Sequence, residues 1–186
     1  MKLKPLHIIL IAALVLLLWV WGGYNGLISS KEGLDAMWAQ VETQYQRRVD
    51  LVPNLVATVK GAARFEQQTF EEVTAARTRW MEAKGRAEQI EAAAGFDSAL
   101  ARLLVTVENY PTLQATQAYR DLLAQLEGTE NRIATARRDF NEAVRIYNVL
   151  TKRFPRNLIA RFFSFVPESF FESKEGSEET PTVEFE

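Results

Sequence analysis

The stretch from Ile8 to Ile28, "IILIAALVLLLWVWGGYNGLI", holds no charged residue over 21 positions. A hydrocarbon core of about 30 Å takes about 20 residues of helix to cross, so this run is long enough to span a bilayer once. Trp19, Trp21 and Tyr24 gather at its far end. Aromatic side chains of this kind settle at the boundary between lipid and water, and with Gly22 and Gly23 they mark the expected exit from the membrane. A cleaved signal peptide is the competing reading, but residues 20–30 offer no pair of small side chains three and one positions before a cut. An uncleaved anchor over residues 1–30, in contact with lipid through 8–28, is the expectation. Lys2 and Lys4 precede the run, whereas Lys31 after it is accompanied by Glu32 and Asp35. By the positive-inside rule the amino terminus then faces the cytoplasm, and the remainder of the chain lies on the other side of the membrane.

After the anchor the periodicity changes to that of amphipathic helices. Leu34, Trp38, Val41, Tyr45, Arg48, Val52, Leu55, Val59 and Ala62 recur every three or four residues, so one face is built for partner helices. Pro53 lies inside this pattern, and either starts a new helix capped by Asp50 or kinks a continuous one. The helix is expected to continue through Phe65, Val73 and Trp80, to break near Gly85, and to be followed by a new helix opening at Gly95 with Asp97 or Ser98 as cap. Pro111 closes that helix. A last one runs from Thr112 to about Arg153, roughly 60 Å at 1.5 Å per residue. Its expected seam is Tyr119, Leu123, Leu126, Glu130, Ile133, Arg137, Phe140, Val144, Tyr147 and Thr151. No strand alternation or internal repeat interrupts the helical pattern. The fold class is therefore all-α: one transmembrane helix followed by an antiparallel bundle of long, coiled-coil-like helices, with the bundle over residues 31–153.

Composition excludes several chemistries. The chain has 186 residues, 47% of them hydrophobic and 25% charged, which suits one folded domain with appendages. A formal net charge of −2 supplies no basic field, so nucleic acid is not an expected partner. There is no cysteine, and the one histidine, His7, precedes the apolar run. Thiol chemistry, disulfides and cysteine-ligated metals are thereby removed, and no cofactor is expected. Glu66, Glu108 and Glu130 evoke the carboxylates of ferritin-like bundles, but those sites also use Glu-x-x-His and no such histidine is present.

The segments "YNGLISSKEGLDAMWAQVETQYQRRVDLVPNLVATVKGAARFE", "ENYPTLQA", "TENRIATARRDFNEAVRIYN" and "FPRNLIARFFSF", in that order, resemble the LemA family of bacterial membrane proteins. The resemblance covers the anchor and the chain from Tyr24 to about Phe171. It implies a single-span protein with a helical bundle and no known catalytic activity. Family members look like accessory proteins, sometimes beside membrane metalloproteases or in specialised membrane compartments, so a membrane-protein partner is among the expectations.

The polar residues of those segments are Arg47, Arg48, Asp50, Asn54 and Glu66, then Glu108, Asn109, Glu130, Asn131, Arg132, Arg137, Asn141 and Asn148. Several fall on or beside apolar seams. A buried unpaired charge costs several kcal/mol, so Arg48 on one seam and Glu130 or Arg137 on another are expected in one interhelical network that sets register. That reading assigns them a structural role and leaves no catalytic, cofactor or metal residue. Two functions follow. One is a non-enzymatic, membrane-anchored scaffold or accessory protein assembling as a homo-oligomer; the other is a membrane-anchored sensor whose Arg/Asn/Glu cluster binds an anionic ligand.

Residues 154–171, with Phe162, Phe163, Phe165, Phe170 and Phe171 behind Arg156 and Arg161, are read either as an amphipathic foot at the lipid surface or as a cap on the bundle. Residues 172–186 are acidic and have little to bury, which describes a solvated tail or a peptide that docks a partner.

Overall fold

The computed structural model describes residues 5–60 and 67–171. Lys2, Lys4, Ala62, Phe65, Glu66 and the acidic tail lie outside these described residues. Six helices account for most of the described residues: α1 Pro5–Lys60, α2 Gln67–Glu82, α3 Arg86–Val107, α4 Pro111–Gln114, α5 Gln117–Lys152 and α6 Arg156–Phe162. No strand occurs among the described residues. The described residues form two compact units, one from 5–40 and 136–170 and the other from 41–60, 67–135 and Phe171.

In the first unit, the opening of α1 is bare. From Leu6 to Trp21 its large apolar side chains are mostly exposed, and its most apolar 18-residue window has a mean hydropathy of 2.4. This helix is long and apolar enough to cross a membrane. Farther along, Leu27, Leu34 and Trp38 are buried, as are Phe140, Val144 and Tyr147 of α5, and the Trp38 and Phe140 rings meet edge-on at 5.1 Å. The chain then turns through Pro155 into α6, whose Ile159 and Ala160 pack on Leu27. Gly23 allows this approach, because a Cβ there would come within 2.3 Å of Ile159 Cδ1. Beyond α6, Asn148 receives the Glu168 N–H on Oδ1 and donates Nδ2 to the Glu168 carbonyl, both at 2.8 Å. One buried amide thus satisfies both backbone groups of a residue outside any helix.

In the second unit, Val41, Tyr45, Val49, Val52, Leu55 and Val59 of α1 keep the three/four spacing and are buried. They are joined by the apolar faces of α2 (Phe70, Val73, Trp80), α3 (Phe96, Leu100, Leu103) and the start of α5 (Tyr119, Leu122, Leu126). Gly85, at φ 83°, makes the turn between α2 and α3, a conformation that a side chain would strain.

Four sequence expectations shift. First, α1 neither restarts nor ends at Pro53. Proline lacks the N–H that would bond the Val49 carbonyl, and the guanidinium of Arg77 on α2 donates Nε to that carbonyl at 3.3 Å. Second, α3 begins at Arg86 and runs through Gly95 and Asp97, whose carboxylate is engaged by another helix rather than capping this one. Third, the last helix is divided at Ala115 and Thr116. Thr116 Oγ1 accepts the Tyr119 N–H at 3.3 Å, so the hydroxyl caps α5. Fourth, the buried face of α5 comprises Tyr119, Leu122, Leu126, Thr129, Ile133, Ala136, Phe140, Val144, Tyr147, Asn148 and Thr151. Leu122, Thr129 and Ala136 therefore stand where Leu123, Glu130 and Arg137 were expected. The smaller Thr129 and Ala136 hold the seam and the longer charged side chains flank it.

Candidate functional site

The second unit contains a cluster that joins three helices. Arg48 on α1 is placed by the same spacing that buries Tyr45, Val49 and Val52, so its guanidinium enters the bundle with a side chain only 9% exposed. A guanidinium offers five N–H donors in a planar fork and cannot shed its charge, so burial at this depth requires anionic partners. Its Nη1 donates to Asp97 Oδ1 of α3 at 2.9 Å, and its Nη2 donates to the Glu130 carboxylate of α5. The other Asp97 oxygen accepts the Tyr45 hydroxyl at 3.0 Å. Tyr45 is held in turn by Trp80, 4.7 Å away between ring centroids, and by Phe171, stacked at 6.2 Å. One cation thus faces two carboxylates that approach from different helices.

The other polar residues of the recognised segments are dispersed. Arg47, Asn109, Asn131 and Arg132 are exposed. Asp50 is exposed and accepts Gln46 Nε2 at 2.8 Å within its own helix, and the Asn54 carbonyl receives the Thr58 hydroxyl. Glu108 stands at the end of α3; burial, and after it the Glu108 charge, raises the Tyr119 phenol above its ordinary pKa. Arg137, Asn141 and Asn148 belong to the first unit. Arg137 is partly buried, and loss of hydration pulls its proton affinity down to about 10. A guanidinium keeps its proton at neutral pH even so, which makes the shift a sign of burial cost rather than of a titrating base. Asn141 is half-buried, and Asn148 forms the clamp on Glu168. Glu66 lies outside the described residues. Arg48 and Glu130 meet.

Sequence reasoning missed Asp97 and Tyr45 as members. Asp97 was read as a cap, yet a signal was present: Tyr45 and Arg48, three apart on one face, bring two donors and no acceptor to the same place. Arg77 was missed as well, although a proline inside a long helix implies a carbonyl in need of a donor.

Arg48 gives Nη1 and Nη2 to two carboxylates and both Asp97 oxygens accept, while its buried Nε has no hydrogen-bond partner among the described residues. Open grooves among the described residues include one between α2 and α3 beside Ala76, Arg79 and Glu88, and one of about 550 Å³ between α1 and α5 of the first unit beside Leu34, Met37, Asp139 and Ile146. Neither is lined by Arg48 or its partners.

The family profile of LemA matches residues 37–185, most of the chain. The chain belongs to the LemA family. Among similar proteins are two from Paramagnetospirillum magneticum, magnetosome protein MamQ 1 and magnetosome protein MamQ 2, each 29% identical over 186 residues. The alignments cover 86% of this chain and 68% of each relative. Magnetosome protein MamQ of Magnetospirillum gryphiswaldense is 28% identical over 187 residues, with the same coverage. In this LemA-family protein, Arg48, Asp97 and Glu130 all lie inside the matched region, and the bare apolar stretch of α1 precedes it.

Proposed function

We propose that this LemA-family protein is a non-enzymatic scaffold or accessory protein, anchored in the bacterial cytoplasmic membrane through residues 8–28 and self-assembling through its long helices. Residues 31–153 form its bundle, and the domain faces the extracytoplasmic side. The observation that carries this reading is the bare apolar face of α1 from Leu6 to Trp21, which is mostly uncovered among the described residues and suits a lipid covering. The occupied fork of Arg48 supports a structural role for the family-like polar residues. The relatives are named for the magnetosome, which is consistent with an accessory role at a specialised compartment.

The test is the size of the full-length protein extracted in mild detergent. Assembly gives a particle several times the monomer mass. A monomer that binds a small anion and loses that binding when Arg48 is replaced overturns the scaffold in favour of the sensor. Orientation is read separately: cysteine in place of Ser177, in a chain with no native cysteine, reacts with an impermeant thiol reagent in intact spheroplasts. Labelling only after lysis reverses the topology.

A further inference from the structure

We infer that the segment from Phe154 to Val166 is a second, interfacial membrane contact, immersed in the same bilayer that α1 crosses. The inference rests on the reading of α1 as the anchor, and it begins with a length. The exposed apolar part of α1, Leu6 to Trp21, measures about 24 Å at 1.5 Å per residue, short of a hydrocarbon core of about 30 Å. The uncharged run makes up the difference by continuing to Ile28. Over that last part, however, the helix is covered on one side. Ile159 lies on Gly23, Ile159 and Ala160 pack on Leu27, and the Tyr24 ring contacts Phe163 at 4.7 Å and Phe165 at 5.8 Å. Whatever depth Gly23 to Ile28 occupies, α6 shares it, so the outer surface of α6 meets what the helix itself would have met.

That outer surface has the composition of an interfacial segment. Phe162 is 82% exposed, Phe154 74%, Val166 65% and Leu158 57%. Leu158 and Phe162, four residues apart, share a face of α6 distinct from the face that Ile159 and Ala160 bury. Arg153, Arg156 and Arg161 are interspersed and exposed. Such side chains lay their stems along apolar surface and carry their charge to headgroup phosphates. In water, four large apolar groups so exposed on one short segment would be a liability; beside the membrane exit of α1 they are continuous with its lipid-facing surface.

The absence of cysteine makes a site-directed test clean. Nitroxide labels are placed singly at Phe162→Cys, at Leu14→Cys on the bare part of α1, and at Arg138→Cys, whose side chain is 76% exposed. The full-length protein is reconstituted in vesicles of phosphatidylethanolamine and phosphatidylglycerol. Collision with oxygen, which concentrates in lipid, is compared with collision with an aqueous nickel chelate. The expected result is that positions 14 and 162 are both open to oxygen, with chelate collision on the order of tenfold below that at 138, because a polar solute is excluded from hydrocarbon. High chelate collision at 162 with lipid-like behaviour at 14 overturns the interfacial contact and leaves the anchor standing. Low collision with both reagents at 162 means a protein surface covers it, and also overturns the contact. Aqueous behaviour at 14 overturns the anchor and the inference together. Phe162 is so exposed that its substitution leaves the packing of α6 intact.

Discussion

Replacing Arg48 with methionine would leave Asp97 and Glu130 without their cation while keeping a stem of similar bulk. Asp97 is 21% exposed and Glu130 54%, so the two carboxylates do not suffer equally. Arg48→Met is expected to cost roughly 2–4 kcal/mol, because it removes the charge that compensates two acceptors. Glu130→Ala should cost roughly 1–2 kcal/mol, because it strips one acceptor from the buried Arg48 while Asp97 remains, and Glu130→Gln less, because the amide oxygen still accepts. Denaturant titration of the detergent-solubilised chain, followed by circular dichroism, ranks them. The sequence alone implied a larger penalty at Glu130 because the three/four spacing placed it on the seam, whereas Thr129 occupies that position. A second residue-level expectation concerns alkaline pH. Burial, then the charges of Glu168 and Asp35, raise the Tyr147 phenol above its ordinary value near 10. Between the unfolded and folded values the native state holds more protons than the unfolded one, so stability is complete below about pH 10 and falls as pH rises through that window. Tyr147→Phe should flatten the fall, as measured by denaturation midpoints on either side of pH 10.

At the scale of the helix, Pro53 and Arg77 form a pair that periodicity could not reveal. Helical spacing correctly carries α1 past the proline, but the donor for the Val49 carbonyl comes from 28 residues away on another helix. Arg77→Ala is expected to cost about 1 kcal/mol, the net worth of one hydrogen bond at a site where the acceptor is otherwise orphaned. In a Pro53→Ala background the alanine N–H restores the intrahelical bond, so the same substitution should cost less. A double-mutant cycle that returns strictly additive losses would falsify the compensation. The breaks between helices show the same division. Gly85 was legible as a breaker because a positive φ suits glycine, while Gly95 and Asp97 read as a helix start and are not one. Local cap chemistry competes with tertiary partners, and at Asp97 the guanidinium of Arg48 and the hydroxyl of Tyr45 prevail.

For the chain as a whole, the boundary between anchor and folded domain is the informative test. A cut after residue 30 follows the change in hydropathy, yet Tyr24 and Leu27 pack with Ile159 and Ala160. A chain starting at Gly22 is expected to be helical and stable in mild detergent. One starting at Lys31 should remain helical but lose roughly 2–4 kcal/mol, the burial of Leu27 and part of Tyr24 together with the cavity left behind. Denaturation of the two chains, followed by circular dichroism, distinguishes them, and equal stability would mean the α6 contact contributes nothing. The sequence by itself determined the all-helical class, the one apolar span and the three/four rhythm of the buried faces, because these depend on residues a turn or two apart. Only the tertiary structure decided which charged residues meet. Arg48 reaches Asp97 and Glu130 across 49 and 82 positions, and whether a side chain next to a seam turns inward depends on the rotation of its helix against neighbours that spacing along one chain does not encode.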